Sequence, residues 1–195
     1  MNFIFDIGNV ILSFKPEKFL IELWGTEVDI DILYKTIFES KEWELLDGGM
    51  ISQEEAVNRI CFASPENEQS IRKTFDCWLD MFTPLDETIS LIEELKEQKH
   101  KLYYLSNFHK KASKWIVAKY PVFSLFDGGV FSCDVQLLKP DVRIYQYLLQ
   151  KYKLDPRTCL FLDDMKVNVV AAREVGINSM QFSAVSKVKE TIENA

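Results

Sequence analysis

Short apolar runs alternate along this chain with longer segments of helical periodicity, and this alternation limits the folds available to it. The apolar runs are NFIF at 2–5, KLYYLS at 101–106, GGVFSC at 128–133, TCLFLD at 158–163 and INSMQF at 177–182. Between them apolar residues recur every three or four positions, and the pattern predicts helices at 86–99 and 141–152. Continuous apolar strands separated by helices are typical of a parallel sheet that is covered on both faces. The sequence therefore predicts an α/β fold with a doubly wound parallel sheet.

One long interval, at 15–84, breaks this alternation. It carries helical patterns interrupted by DGGM at 47–50, and it contains no convincing strand. Most of the tryptophans fall in it, and we expect them to fill a small helical core. The predicted organisation is a Rossmann-like core at 1–14 and 85–195, with an α-helical cap subdomain inserted at 15–84.

Composition argues against two classes of partner. The formal net charge is −7 and the pI is about 5.0, whereas a nucleic-acid-binding face needs clustered basic residues. The densest basic stretch, KKASK at 110–114, is interpreted as a solvated helix face. No apolar run approaches the ~20 residues that span a bilayer. We therefore expect neither a nucleic-acid nor a membrane partner.

The cysteines and the start of the chain bear on location. Cys61, Cys77, Cys133 and Cys159 show neither close pairing nor zinc-site spacing, which indicates reduced thiols rather than disulfides. The chain opens directly on an apolar strand without a charged leader. These features predict a cytoplasmic protein.

Polar residues stand where the predicted strands end. In open α/β sheets, ligands bind beyond the carboxyl ends of the strands, so side chains at those ends are expected to converge. Alone, each has an ordinary explanation as turn chemistry or a helix cap. The converging residues are Asp6, Ser106 with Asn107, Asp163 with Asp164, and Lys139 in the loop after the third strand.

Together these residue types suit phosphoryl transfer, in which a protein mainly positions groups and neutralises charge. A carboxylate such as Asp6 can act as a covalent nucleophile, but it repels an anionic phosphate unless a cation intervenes. Carboxylate oxygens suit Mg²⁺, and Lys139 adds a fixed positive charge. Ser106 and the backbone N–H of Asn107 are candidates for holding phosphate oxygens.

At this point the sequence resembles the haloacid dehalogenase-like (HAD) superfamily. The segments FIFDIGNVIL, YYLSN, LLKP and FLDDMKVNVVAAREVGI are similar, in order and spacing, to the four motifs of that superfamily. The resemblance spans 1–14 and 85–182, and the insert lies where the superfamily places a small helical cap. FDIGNV and DGGMISQEEA most resemble bacterial phosphatases that act on sugar phosphates such as α-D-glucose 1-phosphate.

The resemblance implies a Mg²⁺-dependent hydrolase of small phosphate monoesters that works through an aspartyl-phosphate. The expected partner is then a small phosphorylated metabolite, and the expected assembly is a monomer or weak dimer. Asp6 is then the nucleophile and a metal ligand, and Lys139 orients it. The implied phosphate-binding residues are Ser106, Asn107 and Lys139. The implied metal ligands, besides Asp6, are the Gly8 carbonyl, Asp164 directly, and Asp163, which acts either through water or as the partner of Lys139.

Gly8 is where the chain departs from the family. Most phosphatases of the superfamily carry an aspartate at this position, which serves as general acid and then as base. General acid–base catalysis contributes about 10²–10⁴-fold, so the sequence predicts slow turnover, or a substitute from water or a cap residue. His109 follows the phosphate-binding pair closely, but we expect it at a helix start, exposed to solvent. Asn9 is expected to hold the loop.

Three rival interpretations remain at this stage. A haloacid dehalogenase uses the same nucleophile against carbon, but has no need of the Asp163–Asp164 pair. A catalytically weakened protein that binds or senses a phosphometabolite fits the loss of the acid at Gly8. A response-regulator receiver has similar parts, but there the acid pair follows the first strand and no helical insert is present.

Overall fold

The computed structural model describes residues 1–193, and its centre is a five-stranded sheet. The strands, numbered along the chain, are β1 (Asn2–Phe5), β2 (Leu12–Ser13), β3 (Thr83–Pro84), β4 (Lys101–Ser106), β5 (Gly128–Phe131), β6 (Cys159–Asp163) and β7 (Asn178–Gln181). Of these, β2 and β3 lie outside the central sheet and pair with each other. The order in the sheet is β5-β4-β1-β6-β7, and all neighbouring pairs are parallel. The predicted parallel sheet is confirmed. The run at 128–133 is shorter than expected as a strand, because residue 132 already begins a helix.

Helices connect the strands and form the insert. They are α1 (Pro16–Trp24), α2 (Ile30–Phe38), α3 (Lys41–Asp47), α4 (Gln53–Ala63), α5 (Glu68–Cys77), α6 (Asp86–Glu97), α7 (Lys110–Lys119), α8 (Ser132–Val135), α9 (Val142–Tyr152), α10 (Lys166–Glu174) and α11 (Val185–Glu193). The first five lie between β2 and β3. Local chemistry starts two of them, since the hydroxyls of Ser40 and Ser52 accept from the backbone N–H groups three residues later.

The two faces of the sheet belong to different hydrophobic clusters. Along β1, Phe3 and Phe5 lie in one cluster and Ile4 in the other, as the two-residue period of a strand requires. The Phe3 cluster continues into the insert and includes Trp43 and Trp78. The tryptophans of the insert are buried, as expected, in a hydrophobic cluster that continues onto one face of the sheet. Packing across the two segments, which no local pattern reveals, decides their position.

A two-stranded ribbon joins the insert to the sheet. Leu12 and Ser13 pair antiparallel with Pro84 and Thr83, so the chain leaves and re-enters the core at one place. Sequence reasoning missed this ribbon because strands of two residues have no periodicity. The division into a core and a cap at 15–84 stays a prediction. The ribbon shows only where the helical segment is attached, close to the end of β1.

The turn after α3 packs tightly against the core. Gly49 has a positive φ of 66°, and a Cβ placed on it would lie 2.4 Å from the Cys133 carbonyl oxygen. The Ser132 hydroxyl donates to the backbone carbonyl of Asp47 and accepts from the Phe108 backbone N–H at 2.8 Å. The carboxyl end of α3 is therefore fixed on the loop that follows β4.

Within residues 1–193, every helix is too short or too polar to traverse a bilayer. The four cysteines are free thiols, of which Cys61, Cys133 and Cys159 are buried, in agreement with the sequence.

Gly49→Ala is expected to destabilise the protein by about 2–4 kcal/mol, because backbone strain adds to overpacking. Gly176→Ala is the matched control: Gly176 follows α10 with the same pair of backbone hydrogen bonds and a positive φ of 85°, but a Cβ placed there would meet only Pro156 side-chain atoms, at 3.6 Å. It should cost only the strain, about 1 kcal/mol. Urea denaturation of both variants measures the difference. Equal losses would show that the contact with Cys133 relaxes without cost.

Candidate active site

Four predicted residues meet at the carboxyl edge of the sheet. β1 lies between β4 and β6, so Asp6 after β1 sits between Ser106 at the end of β4 and Asp163 at the end of β6. Asp6 Oδ1 accepts from Ser106 Oγ at 2.6 Å and lies 2.8 Å from Lys139 Nζ. Lys139 Nζ also donates to Asp163 Oδ2 at 2.6 Å. All four residues are buried, and they form one continuous polar network.

Burial and charge compete within this network. The pKa of Asp6 is raised to about 6: burial is the largest cause, Lys139 acts in the opposite direction, and the Asp163 carboxylate adds to the effect of burial. Burial disfavours the charged form of Lys139, but the Asp6 and Asp163 carboxylates outweigh that effect and its pKa is raised. Lys139 therefore stays an ammonium and is the cation that holds the two acids together.

The two adjacent aspartates have different surroundings. Both oxygens of Asp163 are engaged, by Lys139 Nζ, by Asn168 Nδ2 at 3.0 and 3.1 Å, and by a backbone N–H at 2.8 Å. Asp164 is half-buried, and its Oδ2 accepts from Asn9 Nδ2 at 3.2 Å. Burial raises its pKa, and the Asn9 contact acts in the opposite direction. Of the alternatives for Asp163, this geometry supports the role of Lys139 partner and leaves Asp164 freer to bind a cation.

The site residues fit a hard divalent cation. Ligand oxygens of Asp6, Asp163 and Asp164 lie within 4.8 Å of one another. Three carboxylates face one ammonium, so the cluster carries an excess of negative charge that a divalent cation offsets. Oxygen ligands of this kind suit Mg²⁺. Both contacts that hold Asp6 use Oδ1, which leaves Oδ2 for a metal or a substrate.

Asn107 has a role that the sequence did not reveal. Its Nδ2 donates to the Lys139 carbonyl at 2.9 Å, and its Oδ1 accepts from the Lys139 N–H at 2.8 Å. The carboxamide therefore fixes the backbone that carries Lys139. Because the carboxamide is engaged in this way, only the backbone N–H of Asn107 is left for the predicted phosphate contact.

Asn9 holds the loop after β1, in the role expected for it. It has a positive φ of 55°, and its Oδ1 accepts from the Phe14 backbone N–H at 3.0 Å. Because Nδ2 of the same side chain reaches Asp164, the loop that carries Gly8 is tied to the candidate metal ligands.

A cavity of about 80 Å³ opens beside this network, and its lining includes Gly8, Ser106 and Asn107. Its walls are aromatic: Phe14, Trp43, Trp78, Phe82 and Phe108. The rings contact one another, with Phe14 stacked on Phe82 at 5.5 Å between centroids and Trp43 against Trp78 at 5.1 Å. Sequence reasoning treated the aromatics of the insert as core, because aromatic residues at helical spacing look the same in either role.

Two further polar residues line the cavity, and the sequence placed one wrongly and missed the other. His109 is only 3% exposed and lies between Trp43 and Trp78, with ring centroids 4.4 and 4.6 Å away. The expected solvent exposure is wrong because the insert covers the start of α7. His109 Nε2 is 3.2 Å from Oδ1 of Asp47, the last residue of α3. The only signal for Asp47 was its position before the two glycines at 48–49.

Comparison with known proteins identifies the class to which this fold and site belong. The model of the haloacid dehalogenase-like hydrolase family matches residues 1–176. The chain therefore belongs to the haloacid dehalogenase-like hydrolases, and the resemblance drawn from the four motifs is confirmed.

Two relatives match along nearly their full length. The sesquiterpene phosphatase astK of Aspergillus oryzae is 27% identical over 92% of this chain and 88% of its own. The D-ribitol-5-phosphate phosphatase of Bacteroides thetaiotaomicron is 24% identical over 92% and 90%. Several other relatives are much longer, and the match spans a minor part of them. The chain is a hydrolase of this family, and these two nearly full-length relatives are phosphatases.

A solved structure agrees with the fold. A HAD family enzyme from Bacteroides thetaiotaomicron, crystallised with magnesium and inorganic phosphate, superposes with a TM-score of 0.73 at 19% identity, covering 94% of each chain.

Lys139→Met is expected to cost about 3–5 kcal/mol of stability at pH 8, because it leaves Asp6 and Asp163 buried without their cation. The deficit relative to wild type should shrink as the pH falls towards 5.5. The pKa of Asp6 is about 6 with Lys139 present and rises further without it, so protons replace the missing charge. Urea denaturation at both pH values, in chelator, measures this. A deficit independent of pH would show that packing, not charge, accounts for the loss.

Proposed function

We propose that this protein is a Mg²⁺-dependent hydrolase of small phosphate monoesters that acts through an aspartyl-phosphate on Asp6. The observation that carries the proposal is the orientation of Asp6. One carboxylate oxygen is held by Ser106 and Lys139, while ligand oxygens of Asp163 and Asp164 lie close by. The magnesium in the structural neighbour and the phosphatase relatives support the same chemistry.

Each residue has a defined task in this proposal. Asp6 attacks phosphorus, the bond from phosphorus to the leaving oxygen breaks, and the alcohol departs with one proton. Water then attacks the phosphoryl group, gives up a proton, and regenerates the Asp6 carboxylate. Ser106 Oγ, the Asn107 N–H and Lys139 stabilise the phosphate oxygens. Asp6, Asp164 and the Gly8 carbonyl would hold Mg²⁺, which would neutralise charge between the nucleophile and the phosphate.

The rival functions explain fewer of these features. Attack on carbon by a dehalogenase gives no role to an acid pair that can hold a cation beside Asp6. A binding protein without turnover gives no role to a nucleophile with one oxygen left free. Turnover separates these alternatives directly.

The cavity bears on the leaving alcohol. Its aromatic walls present flat apolar surfaces, whereas sugar hydroxyls require hydrogen-bond partners that are costly to leave unsatisfied. Ser106 and the Asn107 carboxamide are already engaged with neighbouring residues. This lining and the sesquiterpene phosphatase relative favour the phosphate ester of an apolar alcohol. Glucose 1-phosphate, suggested by the motif resemblance, is the alternative substrate, and the ribitol-phosphate relative supports a polyol.

Asp6→Asn should lower turnover of 4-nitrophenyl phosphate by at least about 10⁴-fold while leaving the fold intact, because an amide is not a nucleophile. In wild-type enzyme quenched in acid during turnover, a fraction of the molecules should be heavier by one phosphoryl group in intact mass, and in the variant none. Asp134→Asn, the same change at an exposed site, controls for the substitution. Substantial turnover by the Asp6 variant would contradict the covalent mechanism.

A prenyl monophosphate should be hydrolysed with a kcat/KM at least about 10-fold above that of glucose 1-phosphate, since burial of each methylene contributes about 0.8 kcal/mol. Phe82→Ala should reduce this preference by removing one cavity wall. The measurement is a set of steady-state constants for both esters in Mg²⁺. A higher kcat/KM for glucose 1-phosphate would support the sugar alternative.

A further inference from the structure

The proposed reaction lacks a proton donor at the position where the family usually has one. Gly8 lies on the cavity and has no side chain, yet the space beside it is open. A Cβ placed on Gly8 would meet only the Phe14 Cβ, at 3.8 Å. Crowding therefore does not explain the missing acid, and the leaving oxygen still needs a proton from another group.

Asp47 approaches the same cavity from the insert. It is the last residue of α3, and its side chain keeps 19% of its accessible surface while lining the cavity together with Gly8 and Ser106. The backbone of Asp47 is fixed on the core, because Ser132 donates to its carbonyl and the Gly49 turn packs against Cys133. A carboxyl group carried by the insert is thus held in the lining of the cavity that also contains Gly8 and Ser106.

His109 adds an independent observation. It is buried between two tryptophans, and neither ring nitrogen has an aligned hydrogen bond within the part of the chain that the structure describes. Its Nε2 is 3.2 Å from Asp47 Oδ1, although the approach lies off the hydrogen-bonding direction. An unsatisfied buried imidazole costs about 1–3 kcal/mol, so its retention beside a carboxyl group calls for a functional explanation.

We propose that Asp47 is the general acid and base that replaces the missing side chain at Gly8, and that His109 is the positioning residue that orients it. The proposal rests on the proposed phosphatase function and adds a catalytic residue to it. It also assigns the insert a part in the chemistry itself, beyond covering the substrate.

The proton balance defines both steps. As Asp6 attacks phosphorus and the ester bond breaks, the Asp47 carboxyl transfers its proton to the leaving oxygen, which gives the alcohol and an Asp47 carboxylate. In the second step that carboxylate takes a proton from the attacking water. The bond from phosphorus to Asp6 breaks, and inorganic phosphate, the Asp6 carboxylate and a protonated Asp47 result.

The electrostatics agree with this assignment. The pKa of Asp47 is raised to about 8: burial is the largest cause, Asp6 and Glu44 add to it, and Lys139 acts in the opposite direction. Burial lowers the pKa of His109 to about 3. At neutral pH the Asp47 carboxyl is therefore protonated and the His109 imidazole neutral, so Asp47 already carries the proton to be donated before substrate binds.

Asp47→Asn tests the proposal, and the isosteric amide should fold because the native carboxyl is itself uncharged at neutral pH. For an alkyl phosphate, kcat should fall by about 10²–10³-fold. For 4-nitrophenyl phosphate, whose leaving group needs no proton, one equivalent of 4-nitrophenolate should appear in a rapid burst, followed by slow turnover. The burst arises because the second step has lost its base.

Three further variants test the site of the acid, the role of His109 and the specificity of the effect. Gly8→Asp in the Asp47→Asn background should recover alkyl phosphate turnover by at least about 10-fold, because the open space admits the family's acid. His109→Phe keeps a ring between the tryptophans and should lower kcat by about 10-fold, with KM unchanged and an altered pH profile. Glu42→Gln, earlier on α3 and away from the cavity, should change neither constant.

Two results would overturn the assignment. One is Asp47→Asn turnover within threefold of wild type on both esters. The other is an equal loss on both esters with no burst and no recovery by Gly8→Asp, which indicates a structural role. Failure of the phosphatase proposal looks different, since Asp6→Asn would then keep the turnover of the aryl ester.

Discussion

The structure depends on one buried cation between two buried acids. Lys139 bridges Asp6 and Asp163, and these residues come from a loop and from the ends of two neighbouring strands. A charge network of this kind is costly to desolvate and is stabilised only when the geometry satisfies every member. The supporting contacts follow from that requirement: Ser106 satisfies Asp6, Asn168 satisfies Asp163, and the Asn107 carboxamide fixes the Lys139 backbone. The stability of the fold and the proposed function therefore depend on the same side chains.

The strand alternation and the polar residues at the strand ends made the sheet and the Asp6 network predictable from sequence. A parallel sheet brings its carboxyl ends to one edge, so Asp6, Ser106 and Asp163 had to converge whatever the loops did. The sequence did not determine what each side chain would contact. The Asn107 side chain donates to the backbone of Lys139, which lies 32 residues away in the sequence, and no local pattern specifies such a partner.

The insert was less predictable, for a physical reason. Its helices follow from periodicity and from caps such as Ser40 and Ser52, but the orientation of the segment depends on packing against the sheet. Trp43, Trp78 and His109 form one aromatic group drawn from the insert and the core. The exposed position expected for His109 failed for this reason. Asp47 was likewise missed, because its significance depends on the core residues beneath it.

The attachment of Asp47 decides how much of the insert can vary. Its backbone carbonyl accepts from Ser132, which directly follows β5, and the Gly49 turn packs against Cys133. The place of this carboxyl group is therefore set by the core, although the residue belongs to the insert. The other helices of the insert can differ in length and sequence, and so fit another substrate, without displacing Asp47 as long as this one attachment is kept.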